Sequence, residues 1–279
     1  MQIQRLKDFR IASAASKTEG CAAPSCCIWL TGERIYKEIL LHVYGHRSPV
    51  ALPSNDPESF SWYVEIDDVS EIERREIREF LILLKRTLWI STELDACFAL
   101  GWHSKSTGDT GKPTYTALGQ WIHMAKSYGS DVGSKGDQQI ALLIVEQMVE
   151  FIQRHPLYRS ADGIISLLPS NTEKAYDLPS FLTEKIAEEV DIPYIPEALY
   201  KERRTAEMKF CLTFDDKLDN ISGSVGAQDV LLKSKNLIVV DDIFDSGLTL
   251  AETCRALRKA GTGNLYGLIA TKTLKRHFR

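Results

Sequence analysis

Leu237-Ile238-Val239-Val240-Asp241-Asp242-Ile243-Phe244-Asp245-Ser246-Gly247-Leu248-Thr249-Leu250 is the stretch whose reading decides the fold. It follows the polar Lys233-Ser234-Lys235-Asn236 and opens with four apolar residues rich in β-branched types. So short a run, bounded by polar residues, reads as a strand buried on both faces. It ends in two carboxylates and a turn of small residues. An amphipathic stretch then carries Leu250, Cys254 and Leu257 at helical spacing and stops at Gly261. Strand, acidic edge, glycine turn and helix together form the geometry that holds an anion at a helix N-terminus.

The residue types narrow the ligand. Ser246, Gly247, Leu248 and Thr249 offer backbone N–H groups and two hydroxyls to one phosphate, and Gly247 lets the backbone approach closely. Asp241 and Asp242 would repel that phosphate and suit hydroxyl groups and a hard cation such as Mg²⁺. Phosphate at one end, a diol in the middle and a metal nearby describe a phosphorylated ribose.

Composition sets the class. At 279 residues the chain allows one large or two modest domains, and 44% hydrophobic with 26% charged residues is enough for a packed core. A net charge of −4 argues against wholesale nucleic-acid or membrane binding. No apolar run reaches the roughly 18–20 residues that cross a bilayer, and residues 1–17 lack a signal-peptide core, so a cytoplasmic protein is expected. Cys21, Cys26, Cys27, Cys97, Cys211 and Cys254 form no disulfide framework. Cys21, Cys26 and Cys27, with His42 and His46 nearby, leave a zinc site as the alternative to free thiols.

Residues 1–30 show no sustained period. Ile35, Ile39, Leu40 and Val43 predict a helix starting near Thr31, and the prolines at 49, 53 and 57 predict a loop over 46–62. Ser70 with Glu73 is a capping-box pattern opening a long helix with Ile72, Phe80, Leu81, Leu84 and Leu88. Residues 101–114 read as a hairpin or loop, without a Walker spacing around Gly111-Lys112, and Tyr115 to Tyr128 resumes an apolar pattern. This half therefore reads as a mainly helical domain over 1–135, either a winged-helix module or a helical surface for a partner. His103, His123, Trp89, Trp102 and Trp121 read as packing residues, and the glycines of 127–136 mark the boundary.

Beyond it, 136–279 changes character. Ile140, Leu143, Ile144, Met148, Phe151 and Ile152 predict a helix ending near His155-Pro156, and Ile164 to Leu168 a buried strand. Ser180 is expected to cap the next helix, with a short strand at Ile192 to Ile195, a basic stretch from Lys201 to Lys209, and a last strand from Leu265 to Ala270. Alternation of strands and helices implies an α/β, doubly wound parallel sheet with its ligand at the C-terminal strand edges. The loops after Leu168 and Val240 meet there if their strands are neighbours. Gly261-Thr262-Gly263 follows a helix, so it reads as a helix-ending turn rather than a dinucleotide fingerprint.

The 237–250 stretch resembles the phosphoribosyl-pyrophosphate (PRPP) motif of type I phosphoribosyltransferases. Over about 160–275 the chain is similar to their ComF-like branch, through Ile164–Pro169, Lys217–Val225 and 237–250. Departures are Val225 for an aromatic, Lys174-Ala175-Tyr176-Asp177-Leu178 in place of Arg-Gly-Phe-Asn-Gln, Met208 for a Gln, and no N-terminal zinc ribbon. The resemblance implies that Asp241 and Asp242 bind the ribose hydroxyls, directly and through Mg²⁺, and that Asp245, Ser246, Gly247, Leu248 and Thr249 hold the 5′-phosphate. It also implies a pyrophosphate loop at Ser170, Asn171, Thr172 and Lys174, a hood containing Arg203, Arg204 and Lys209, and Asp245 as candidate general base. The reaction implied is displacement or hydrolysis at the anomeric carbon. The alternative is a catalytically silent module that senses PRPP or a nucleotide. Its N-terminal half would dock a protein or nucleic acid, as in relatives that look like parts of bacterial operons, antiviral ones included; an oligomer is compatible with either.

Overall fold

The computed structural model describes residues 3–14, 23–47, 49–106, 113–126, 136–169, 176–206, 211 and 213–274. The chain forms two compact units, one of residues 2–89 with 154–157 and one of 90–153 with 158–279. The units divide at Trp89 and Ile90.

In the first unit β1 (Asp8–Ala14), β2 (Ser25–Thr31), α1 (Arg34–Val43), β3 (Val50–Pro53), β4 (Trp62–Ile66) and α2 (Glu71–Arg86) follow in order. The strands pair antiparallel as β1-β2-β4-β3. Across them Ile11, Ile28 and Val64 share one row while Arg10, Trp29 and Tyr63 share the next. Because side chains alternate along a strand, these rows face opposite sides. Ile28 and Val64 are fully buried, whereas the Arg10 guanidinium lies over the Trp29 ring at 4.2 Å. The α2 helix opens with the expected capping box: Glu73 N donates to Ser70 Oγ at 3.3 Å and Ser70 N to Glu73 Oε2 at 2.9 Å. Ile77, Phe80, Leu81 and Leu84 form its buried stripe.

The expectation of a mainly helical, winged-helix-like N-terminal half is corrected here. The first unit is built on a four-stranded antiparallel sheet beside its two helices, and the hairpin that was to be a wing belongs to the second unit. The strands are short, and their alternation is broken by Ala, Ser and Cys. Prolines sit in or beside the edge strand β3, where a missing N–H is tolerated.

In the second unit β5 (Ala96–Trp102) leads into a hairpin of β6 (Ser104–Ser106) and β7 (Pro113–Tyr115), then α3 (Ala117–Ala125) and α4 (Gln138–Arg154). Next come β8 (Gly163–Ser166), α5 (Leu178–Val190), β9 (Leu199–Lys201), α6 (Phe214–Ile221) and β10 (Val225–Ala227). The chain then forms β11 (Leu237–Phe244), α7 (Leu248–Lys259) and β12 (Leu265–Lys272). Strands β5-β12-β11-β8 lie side by side and all parallel. The strand expected at Ile192–Ile195 is reduced to one bridge from Tyr194 to Ile164 at the β8 edge. Leu237 to Val240 are buried at every position, as is all of β12, which is the burial of a parallel sheet covered on both faces. Phe151 of α4 packs on Phe98 and Tyr158, and the Tyr158 hydroxyl donates to the Gly267 carbonyl at 2.7 Å. Among the described residues no helix is long and apolar enough to cross a membrane.

Candidate functional site

Parallel strands place all their C-terminal ends on one edge. There β8 is the direct neighbour of β11, with Ser166 opposite Val240 and Leu167 N donating to the Val240 carbonyl at 3.1 Å. The loop after Pro169 therefore starts beside the paired acids. Ser170, Asn171, Thr172 and Lys174 themselves lie outside the described residues, as do Met208 and Lys209.

Asp241 and Asp242 end the apolar run of β11 on opposite faces of the sheet. Asp242 is 4% exposed and its Oδ2 lies 2.7 Å from Lys126 Nζ. Asp241 Oδ1 accepts the Asp242 N–H at 2.9 Å. Burial, then the neighbouring Asp242 charge, push the Asp241 carboxyl well above the ordinary range, with Lys126 opposing them. Asp177 joins this field: burial raises its carboxyl despite the hydrogen bonds it accepts from Ser180 N and Oγ at 3.1 and 2.8 Å. The Tyr176 phenol, pushed up to about 12 by burial and by Asp177 and Asp242, stays neutral. The three carboxyls repel one another and are opposed by the Lys126 ammonium, a field that an added cation would relieve. Mg²⁺ fits at one of these carboxylates, since it needs only one or two from the protein and takes its other oxygens from water and ligand phosphates. Among the described residues no group of three or more His, Cys, Asp or Glu side chains gathers as a metal cage. Cys26 and Cys27 are adjacent in β2 and face opposite sides, so one zinc ion cannot take both, and Cys21 lies outside the described residues.

The turn after β11 is held from β12. Thr273 Oγ1 donates to Asp245 Oδ1 at 2.8 Å, and the buried Lys272 ammonium donates to the Asp245 carbonyl at 3.1 Å. Gly247 caps α7 at φ +80° with no side-chain acceptor. A Cβ there would stand 2.5 Å from the Phe244 ring, so glycine is required on both conformational and steric grounds. The first turn of this 12-residue helix therefore has no side-chain cap from its N-cap residue, an arrangement that can receive an anion. Ser246 Oγ accepts weakly from Leu248 N at 3.4 Å. A cavity of about 310 Å³ touches the turn at Ser246 and Gly247 and extends past Thr92 and Glu93 to Cys254; Asp241 and Asp242 do not line it.

Arg203 and Arg204, expected in a hood, are both exposed. Arg203 Nη2 donates at 2.7 Å to both Asp219 O and Ser222 O, the C-terminal carbonyls of α6, where a cation offsets the helix dipole. Asn220 holds Ala206 through two backbone hydrogen bonds of 2.9 Å. The cap of α5 is Asp177, not Ser180 as expected, because Pro179 suits the first helical turn and the preceding carboxylate takes the orphan N–H groups.

Lys126, Asp177, Lys272 and Thr273 are site residues that sequence reasoning missed. Only Asp177, an acid just before Leu178-Pro179, carried a local signal. His103 also belongs here: its Nδ1 lies 3.0 Å from Thr271 Oγ1, which donates to the Asp242 carbonyl at 3.2 Å. Its ring packs edge-on against Tyr115, which stacks on His123.

No protein-family model matches the sequence, and no curated protein does. Among solved structures, the glutamine PRPP amidotransferase from B. subtilis, complexed with ADP and GMP, is similar at 16% identity and a TM-score of 0.36; the match covers 88% of this chain and 46% of that one. The chain thus spans under half the length of that enzyme. Adenine phosphoribosyltransferase from Trypanosoma brucei, in complex with AMP, pyrophosphate and ribose-5-phosphate, is similar at 10% identity and a TM-score of 0.36, covering 66% of this chain and 86% of that one. That from Thermoanaerobacter pseudethanolicus is similar at 12% identity and a TM-score of 0.34, covering 57% and 100%. At these TM-scores the roles of individual residues rest on the site itself.

Proposed function

We propose that the second unit binds PRPP or a nucleoside monophosphate and acts as a phosphoribosyltransferase-like enzyme at the anomeric carbon. The observation that carries this reading is one continuous piece of chain: paired acids ending a buried parallel strand, then an uncapped helix N-terminus at Gly247. The turn takes the 5′-phosphate through backbone N–H groups, and Asp241 and Asp242 take the ribose hydroxyls. When bound, Mg²⁺ supplies positive charge that neutralises the departing pyrophosphate. Asp245, fixed by Thr273, is the candidate base for the acceptor or for water. The Tyr115–His123 stack offers a flat acceptor a surface on the same edge.

Lys126 favours a second reading, a silent sensor, because its ammonium already supplies positive charge at Asp242 and would let a phosphorylated ligand bind without a metal. The deciding experiment measures pyrophosphate release from PRPP with Mg²⁺, with and without nucleobases, beside calorimetric PRPP binding. Turnover supports the enzyme; tight binding with no turnover supports the sensor. Equal binding by wild type and the Asp241→Asn/Asp242→Asn double variant removes the site assignment from both.

A further inference from the structure

The side of α2 that runs beside β1 has no part in this chemistry, yet it is built. Ile11, Ala12 and Ser13 of the edge strand, with Glu71, Arg74, Arg75 and Arg78 of the helix, enclose a cavity of about 270 Å³. Positions i, i+3, i+4 and i+7 share one side of a helix, so three guanidiniums and one carboxylate converge there. Arg74 is pre-positioned: Nη1 donates to Ser13 Oγ, and Glu71 Oε2 lies 3.3 Å from the same nitrogen. Its Nε is closed off from solvent without an acceptor, a donor whose cost an added oxygen removes once the guanidinium turns toward it. Arg75 and Arg78 are exposed, and no ion pair among the described residues engages either.

We propose that this cavity binds a compact phosphorylated small molecule, its phosphate gripped by Arg75 and Arg78 and its less polar part set against Ile11 and Ala12. Guanidinium forks match phosphate oxygens, and the volume is close to the smaller end of small-molecule sites, about 300 Å³. A long polyanion does not fit the same surface. Glu71, Glu76 and Glu79 lie on the same helix, and Glu79 is held by Arg154 at 3.1 Å, so positive potential is confined to the cavity.

Calorimetry on the full chain tests this, with pyrophosphate and ADP as probes. A Ser246→Glu background places a carboxylate at the α7 turn, so that the proposed PRPP site does not compete. Saturable binding of one ADP is expected in Ser246→Glu, weakened about tenfold or more when Arg75→Gln and Arg78→Gln are added. Arg75→Lys with Arg78→Lys should recover only part of it, since the charge returns without the fork. Both arginines are exposed, and an unchanged melting curve verifies that the variants fold. The proposal is overturned by ADP binding that ignores the Arg→Gln changes, by no saturable binding in Ser246→Glu, or by a single-stranded RNA oligonucleotide binding these arginines more tightly than ADP. Failure here leaves the Asp241/Asp242 site untouched, because that site is read in the Ser246 parent.

Discussion

The antiparallel sheet of the first unit and the parallel strands of the second gather chemistry differently. In the antiparallel sheet of residues 8–66 successive strands run in opposite directions, so each edge receives alternate strand ends and no set of loops collects on one side. Its polar features sit on a face, as with Arg10 over Trp29, or in the groove beside α2. In the second unit the four parallel strands end on the same edge, and Asp241, Asp242, Thr271 and the loop after Ser166 arrive there together. Topology decides where a site can be, before any residue type is considered.

The largest effect expected from this contrast is on acid stability in the first unit. His155 is fully buried against Phe80, with ring centroids 4.8 Å apart, and burial lowers its pKa from 6.5 to about 3. The unfolded chain therefore binds a proton that the fold refuses. The stability this represents is present above pH 6.5 and is lost as pH falls from 6.5 toward 3, at roughly 1.4 kcal/mol per unit, several kcal/mol in all. Urea melts at pH 7 and pH 4 should differ strongly for wild type and much less for His155→Leu; equal pH slopes would remove His155 from the account.

Gly247→Val tests the parallel edge. It forces a β-branched residue into φ +80° and against Phe244, so PRPP affinity should fall about 100-fold in calorimetry. Retained affinity would show that the phosphate is held elsewhere. Tyr158→Phe removes the hydroxyl that β12 uses at Gly267 and leaves that carbonyl short of a buried partner, for a loss of about 1–2 kcal/mol in denaturant melts. An unchanged midpoint would mean that packing by Phe151 and Tyr266 accounts for the residue.

The smallest expected effect discriminates most finely. Lys126→Gln takes away the ammonium 2.7 Å from Asp242, so Mg²⁺ should bind more tightly, by about tenfold or less. Titration with and without PRPP reads this directly. Weaker PRPP binding at every Mg²⁺ concentration would instead make Lys126 a ligand contact.

Some of this was legible residue by residue. The strand, acids, turn and helix of 237–250 are consecutive, and so are Ser70 and Glu73; local propensity and capping geometry need no distant partner. The antiparallel strands were hidden because their alternation is short and diluted by small residues, with prolines around β3. Only tertiary structure decided that β8 lies next to β11, that Lys126 reaches Asp242, and that Thr273 and Lys272 pin the turn at Asp245. Strand order is a global property of the packed sheet, so the contacts across it leave no trace in any window of sequence, whereas a helix cap is settled within four residues of itself.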